Sequence, residues 1–187
     1  VDLDARTQES RVDNTHTTGG GNIILGGGLD DGGIASGTSL LTTGLISNDG
    51  FPDGYAVNAG SLAAQSGIAL GTSTTATGHN SNINIFSGGG DIRLHGLATN
   101  NASAPGNGPT GLLIFQGYNM NAGTTGNVTL LGNANLTSGA YAAGMDLAAW
   151  REATYTANSI IKTHNGNINL IGRSSGGTSG NLAIAVD

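Results

Sequence analysis

The chain has 187 residues, of which 34 are Gly, 21 Thr, 20 Asn and 15 Ser, so four small or turn-forming residue types supply about half of it, far from ordinary globular usage. Only 10% of residues are charged and 4% aromatic, there is no Cys, and the net charge is -6. These figures exclude a disulfide framework or metal-thiolate site, argue against a nucleic-acid partner held by phosphate contacts, and disfavour a helix bundle, which needs far more Leu, Lys and Glu.

In chain order, residues 1–18 stand apart. Asp2, Asp4, Arg6, Glu9, Arg11 and Asp13 put six charges into thirteen residues, which reads as a solvated tail or connecting coil; the sharper reading is a segment that pairs with a neighbouring subunit. The chain opens on Val1 rather than Met, as expected of a processed or internal piece of something larger. From residue 19 a repeat domain is expected to run to residue 187. It begins with Gly21-Asn22-Ile23-Ile24-Leu25, closed by Gly26. The next carboxylates, Asp30 with Asp31 and Asp49 with Asp53, lie in Gly-rich turns without nearby Lys or Arg. They are read as solvated turn residues. Catalysis by these pairs and a calcium site among them are the competing readings, but the glycine-rich calcium nonapeptide is not matched, so no catalytic, cofactor-binding or metal residue is nominated.

Ser81-Asn82-Ile83-Asn84-Ile85, Gly90-Asp91-Ile92-Arg93-Leu94, Gly126-Asn127-Val128-Thr129-Leu130, Gly166-Asn167-Ile168-Asn169-Leu170 and Gly180-Asn181-Leu182-Ala183-Ile184 repeat the first motif. Gly96, Gly132 and Gly172 close three of them two residues after the last apolar position. Further strands are expected around residues 111–115, 139–147 and 159–163. A brief helical pattern covers 146–153. Residues 98–110 and 144–158 read as variable loops, the second carrying Trp150 and Arg151 near Tyr141 and Tyr155, the first place to look for a carbohydrate surface. His16, His79, His95 and His164 are scattered without metal-ligand spacing. The Gly19-Gly20-Gly21 and Gly88-Gly89-Gly90 runs lack a following Lys-Ser/Thr and are turns rather than phosphate loops. Asn101, Asn127 and Asn135 begin Asn-x-Ser/Thr triplets, a number that chance supplies in so Asn-rich a chain.

Each copy alternates apolar and polar residues between turn formers, the signature of a short strand with one buried face. Recurrence of one motif separates a parallel solenoid, whose coils meet the same corner repeatedly, from a sandwich, whose strands each have their own environment. Asn tolerates corner geometry and stacks on the Asn of the next coil. Asn22, Asn82, Asn127, Asn167 and Asn181 are therefore expected to share one corner. At about 20 residues per coil, the chain would make about nine coils at ~4.8 Å spacing. Ile168 and Leu170 are assigned inward, each burial worth roughly 1.5–3 kcal/mol, so Ile168→Asp is expected to be costly.

The strings Gly-Gly-Asn-Ile-Ile-Leu, Gly-Asp-Ile-Arg-Leu-His-Gly, Gly-Asn-Val-Thr-Leu-Leu-Gly and Ser-Ile-Ile-Lys-Thr-His-Asn-Gly-Asn-Ile-Asn-Leu-Ile-Gly resemble the repeats of filamentous haemagglutinin-like large bacterial exoproteins, the passengers of two-partner secretion. The resemblance spans about residues 19–187, and autotransporter passengers share its motifs. It implies an all-β, right-handed parallel β-helix, export through an outer-membrane translocator, and a role at the cell surface as stalk or adhesin. The uneven repeat lengths and the lack of a secretion-domain motif depart from the family pattern. The expected partners are neighbouring repeats of a larger protein or copies of itself end to end, and a cell-surface glycan or receptor. A self-assembling extracellular fibre subunit is the second reading, and a carbohydrate-active β-helix enzyme the third.

Overall fold

A computed structural model describes residues 2–6, 19–27, 56–57, 66–71, 83–99, 109–136, 142–149, 158–176 and 181–186. The described residues are all-β. Thirteen strands are β1 (Asp2–Asp4), β2 (Ile23–Gly27), β3 (Ala56–Val57), β4 (Ser66–Leu70), β5 (Ile83–Phe86), β6 (Ile92–Thr99), β7 (Thr110–Phe115), β8 (Tyr118–Asn121), β9 (Val128–Leu136), β10 (Ala142–Ala149), β11 (Ile160–Lys162), β12 (Ile168–Gly176) and β13 (Asn181–Val186).

They form three sheets, ordered β1-β5-β8-β11, β2-β6-β9-β12 and β4-β7-β10-β13, with β3 beside β6, and none of the three closes into a barrel. Every described strand pair is parallel. From β5 to β13 the chain visits the first, second and third sheet in turn, three times over. Strands consecutive in sequence thus lie in different sheets, and hydrogen-bonded neighbours come from successive passes, which here are called tiers.

The alternation of the sequence sets which residues fill the space between the sheets. In the second sheet Ile23, Ile92, Val128 and Ile168 stand in one register column and Leu25, Leu94, Leu130 and Leu170 in the next but one. The third sheet contributes Ile68, Leu112, Met145 and Ile184, and the first Leu3, Ile85, Met120 and Ile161. In the middle tiers these side chains are fully buried: Ile85, Ile92, Leu94, Leu112, Met120, Val128, Leu130 and Met145 are all 0% exposed.

Glycine lets the second and third sheets meet. An added Cβ at Gly96 would overlap the Gly111 carbonyl oxygen, one at Gly132 would overlap that of Gly144, and one at Gly27 that of Gly67. The closing glycines are thus half of a backbone-to-backbone contact, one per tier, completed by a second glycine on the third sheet. In the last tier Gly172 faces Ala183 instead. Register puts Gly27, not Gly26, opposite Gly96.

Several expectations change. Each sheet path holds four strands, so the described residues make four tiers rather than about nine coils. Equivalent corner residues are 36 and 40 positions apart where the tiers follow directly and 69 apart where β2 and β3, both paired to β6, are separated by an intervening sequence. The second-sheet strands alone run to nine residues in β9 and β12, which lengthens each tier well past 20 residues. The helical pattern at 146–153 is not used as helix in its described part: Asp146 and Leu147 belong to β10, between β7 and β13. Parallel neighbours on both sides outweigh the local preference of Ala and Leu. Residues 98–99 and 148–149, assigned to loops, are likewise strand, and 144–147, which fall in both an expected strand and an expected loop, are strand. Strand β1 belongs to the same sheet as β5, with the Asp4 carboxylate ion-paired to Arg6 at 2.9 Å and the Arg6 guanidinium 4.5 Å above the Phe86 ring.

Ile168 and Leu170 stand in the inward columns, yet they are 44% and 39% exposed, with no further tier over them among the described residues. Leu94→Ala is therefore expected to cost about 2–5 kcal/mol, as core cavities do, and Leu170→Ala markedly less. Urea unfolding followed by circular dichroism checks the difference; equal costs would mean that the last tier is covered in solution.

Candidate functional site

The most ordered polar constellation is a ladder at the corner entering the second sheet. The Asn22 side-chain Oδ1 accepts from the Asp91 backbone N–H at 2.8 Å. The Asp91 Oδ1 accepts from the Asn127 backbone N–H at 2.9 Å and from Asn127 Nδ2 at 3.0 Å. The Asn127 Oδ1 in turn accepts from the Asn167 backbone N–H at 2.9 Å. Each rung satisfies a backbone donor that would otherwise lie unpaired at the strand entrance.

The turns before Asp91 and Asn127 are built from small residues. Gly88 and Gly89 hold φ of +67° and +109°, and Gly123 one of +76°, the left-handed region that glycine enters without a Cβ penalty. The Ser87 hydroxyl donates to the Gly90 carbonyl at 2.5 Å and the Thr163 hydroxyl to the Gly126 carbonyl at 2.6 Å. The glycine preceding each rung is demanded by the tier before it: a Cβ on Gly126 would overlap the Gly90 oxygen, and one on Gly166 the Gly126 oxygen.

Asp91 is the one charged rung. The Asn127 backbone N–H, more than any other group, holds its carboxyl below the ordinary carboxylate value; the Arg93 guanidinium at 2.9 Å and the Asn127 amide add to this, and partial burial opposes it. A carboxylate here accepts three donors at once, which suits the ionised form.

Of the five Asn residues expected at one corner, Asn22, Asn127 and Asn167 share it. Asn181 does not: it opens β13 in the third sheet, beside Ala142, and its side-chain amide donates to the Gly176 carbonyl. Asn82 lies outside the described residues, and β5, which follows it, is in the first sheet. Asp91 completes the ladder in their place. The same five-residue motif therefore serves strands in all three sheets.

Asp30, Asp31, Asp49, Asp53, His16, His79, Asn101, Tyr141, Trp150, Arg151 and Tyr155 lie outside the described residues. His95 is buried on β6 at 8% exposed, and the exposed His164 donates its backbone N–H to the Gly123 carbonyl in the turn before β12. The Asn135 side chain accepts from the Ser175 hydroxyl at 3.2 Å. Among the described residues no group of three or more His, Asp or Glu could hold a metal ion, and no helix is long and apolar enough to cross a membrane. The paired glycines between the second and third sheets escaped the sequence reading, although the glycine two residues after each apolar pair was their visible half. No protein-family model, no curated protein and no solved structure matches the chain.

Two outcomes follow for the corner. Gly126→Ala should cost at least about 1–3 kcal/mol, the usual range for overpacking. Gly21→Ala should be near neutral, since its Cβ would meet only the Ala5 Cβ, at 3.7 Å, among the described residues. The depressed Asp91 pKa means that its stabilisation is present above the ordinary carboxylate value and is lost as pH falls through the lower folded value. The thermal midpoint should therefore drop more on acidification in the parent than in Asp91→Asn, and identical pH profiles would remove the charge from the account.

Proposed function

We propose that the chain is a right-handed parallel β-helix acting as a non-catalytic structural and adhesive segment of a secreted bacterial surface exoprotein. The observation that carries this reading is the register: four copies of one short motif meet at one corner, and each bonds to the next through side chain and backbone alike. A repeat that satisfies itself in this way makes a stiff body with quasi-one-dimensional contacts. The right hand is supported by the crossover rule, because the path from β5 through β6 and β7 to the parallel β8 is a crossover connection, and such connections are right-handed in about 98% of cases.

The attachment role rests on the aromatic side chains of Trp150 and Tyr155, with Arg151, in the sequence that follows β10. Aromatic side chains give large contact area to a flat sugar ring. Secretion, surface location and passage through an outer-membrane translocator come with the resemblance of the repeats to the haemagglutinin-like exoproteins.

Beads coated with the purified chain should adhere to a glycan array or to cultured epithelial cells. A version with residues 150–157 replaced by a Gly-Ser linker should lose that attachment while keeping the β-sheet circular dichroism of the parent. Adhesion unaffected by the replacement would take recognition away from this segment. Digestion of a polysaccharide panel by the parent chain, measured as new reducing ends, would overturn the non-catalytic reading.

A further inference from the structure

We infer that Asn165 is a site of spontaneous covalent modification, at which the backbone attacks the Asn side chain and its amide becomes an acid. Among the described residues Asn165 is the one Asn followed by Gly; Ile, Leu, Met, Val, Ala or Ser follows each of the others. The following residue matters because its backbone nitrogen is the nucleophile, and glycine presents that nitrogen with no Cβ in the way. The Gly166 nitrogen bonds to the Asn165 Cγ as its proton passes to a solvent base. The Cγ–Nδ2 bond breaks and ammonia leaves, which closes a five-membered imide, and water then opens the ring. Breaking the new Cγ–N bond leaves an aspartyl residue in an ordinary backbone. Breaking the original peptide C–N bond leaves an isoaspartyl residue, whose main chain runs through Cβ and Cγ. In either case one water enters and one ammonia leaves.

The stack supplies the reactive pair. A Cβ on Gly166 would lie 2.0 Å from the Gly126 carbonyl oxygen, so stacking in register keeps this position glycine whatever precedes it. The preceding position varies: it is Thr125 one tier earlier and Asn165 here, and both are exposed. Thr125 is exposed although a tier lies over it, so the corner itself turns this side chain to solvent. The Asn165 side chain makes no hydrogen bond among the described residues, which leaves its Cγ free to swing toward Gly166.

Thr163 restrains the reaction. The Gly166 N–H donates to the Thr163 Oγ1 at 3.2 Å, and that hydroxyl is itself fixed by donating to the Gly126 carbonyl at 2.6 Å. The proton that the nucleophile must lose is therefore held by a group that is not a base. The two products also differ in what they do to the stack. The Asn165 N–H donates to the Thr124 carbonyl at 2.8 Å and the Asn167 N–H to the Asn127 Oδ1 at 2.9 Å, so the backbone is pinned on both sides of the reacting peptide bond. The aspartyl form keeps the spacing between the pins. The isoaspartyl form adds one main-chain atom between them, which residue-to-residue parallel pairing does not accommodate.

Peptide mapping of the full chain after incubation at mildly alkaline pH tests this. Cleavage after Lys162 and Arg173 isolates residues 163–173, which separates Asn165 from the other Asn-Gly pair of the chain, Asn107-Gly108. Mass spectrometry should find acid accumulating at Asn165, as aspartyl and isoaspartyl forms together, and faster as pH rises. Asn165→Thr, which copies the tier before, should gain no acid at this position. Thr163→Val with the circular dichroism of the parent should convert several-fold faster, and Thr163→Ser, which keeps the hydroxyl, at the parent's rate. A 163–173 peptide that stays fully amidated, or acid spread evenly over Asn165, Asn167 and Asn169, overturns the site on the parent chain alone. A Thr163→Val chain no faster than the parent removes the restraint. Asn165→Asp should melt with the parent and the purified isoaspartyl form earlier; equal midpoints for all three would remove the register penalty.

Discussion

Parallel stacking in register is the constraint on which everything else here depends. A parallel pair bonds residue to residue along its whole length, so a tier can lie on the next only if both carry the same features at the same positions. That requirement selects glycine wherever backbones meet, at Gly96 against Gly111 and Gly126 against Gly90, and small polar residues at the corners. It also explains how a chain poor in aromatics builds a core. Each tier needs only a few Ile, Leu, Val or Met side chains, because the columns above and below complete their packing.

The strand positions were legible because alternation and turn residues are local properties. Ile92 and Leu94, Val128 and Leu130, and Ile168 and Leu170 can be assigned to one face from the sequence, and the structure puts them in two register columns. The corner was partly legible for the same reason. What the motif does not encode is which sheet a copy enters. Asn181 and Asn127 hold the same position in two copies of the motif, yet one opens a strand of the third sheet and the other enters the second; only the count of strands between them decides. Tier length was hidden likewise, since 69 positions separate Asn22 from Asp91 where 36 and 40 separate the later rungs.

Asp91 holds the Asn position of its copy of the motif but was not among the five residues expected at the corner. The geometry shows why it fits. An Asn rung offers one acceptor oxygen upward and one amide donor downward, as Asn127 does. An Asp rung gives up the downward donor, leaving only its backbone N–H toward Asn22, and in exchange brings an ionised acceptor to Asn127 and Arg93. One such exchange in a ladder costs a single amide hydrogen bond. Two in succession would put carboxylates one strand spacing apart, about 4.8 Å, where like charges oppose each other.

The same logic makes the ends of the stack chemically unlike although its tiers are alike. A ladder of backbone donors and side-chain acceptors has a direction: among the described residues it begins at the Asn22 backbone N–H and finishes at the Asn167 side-chain oxygen. The inward columns have a direction too, because the first tier is covered at Ile23 and Ile68 and the last is open at Ile168 and Leu170. A body assembled from parallel strands therefore carries polarity along its length even though each middle tier repeats its neighbour. That polarity, absent from any single copy of the motif, is a property of the stack.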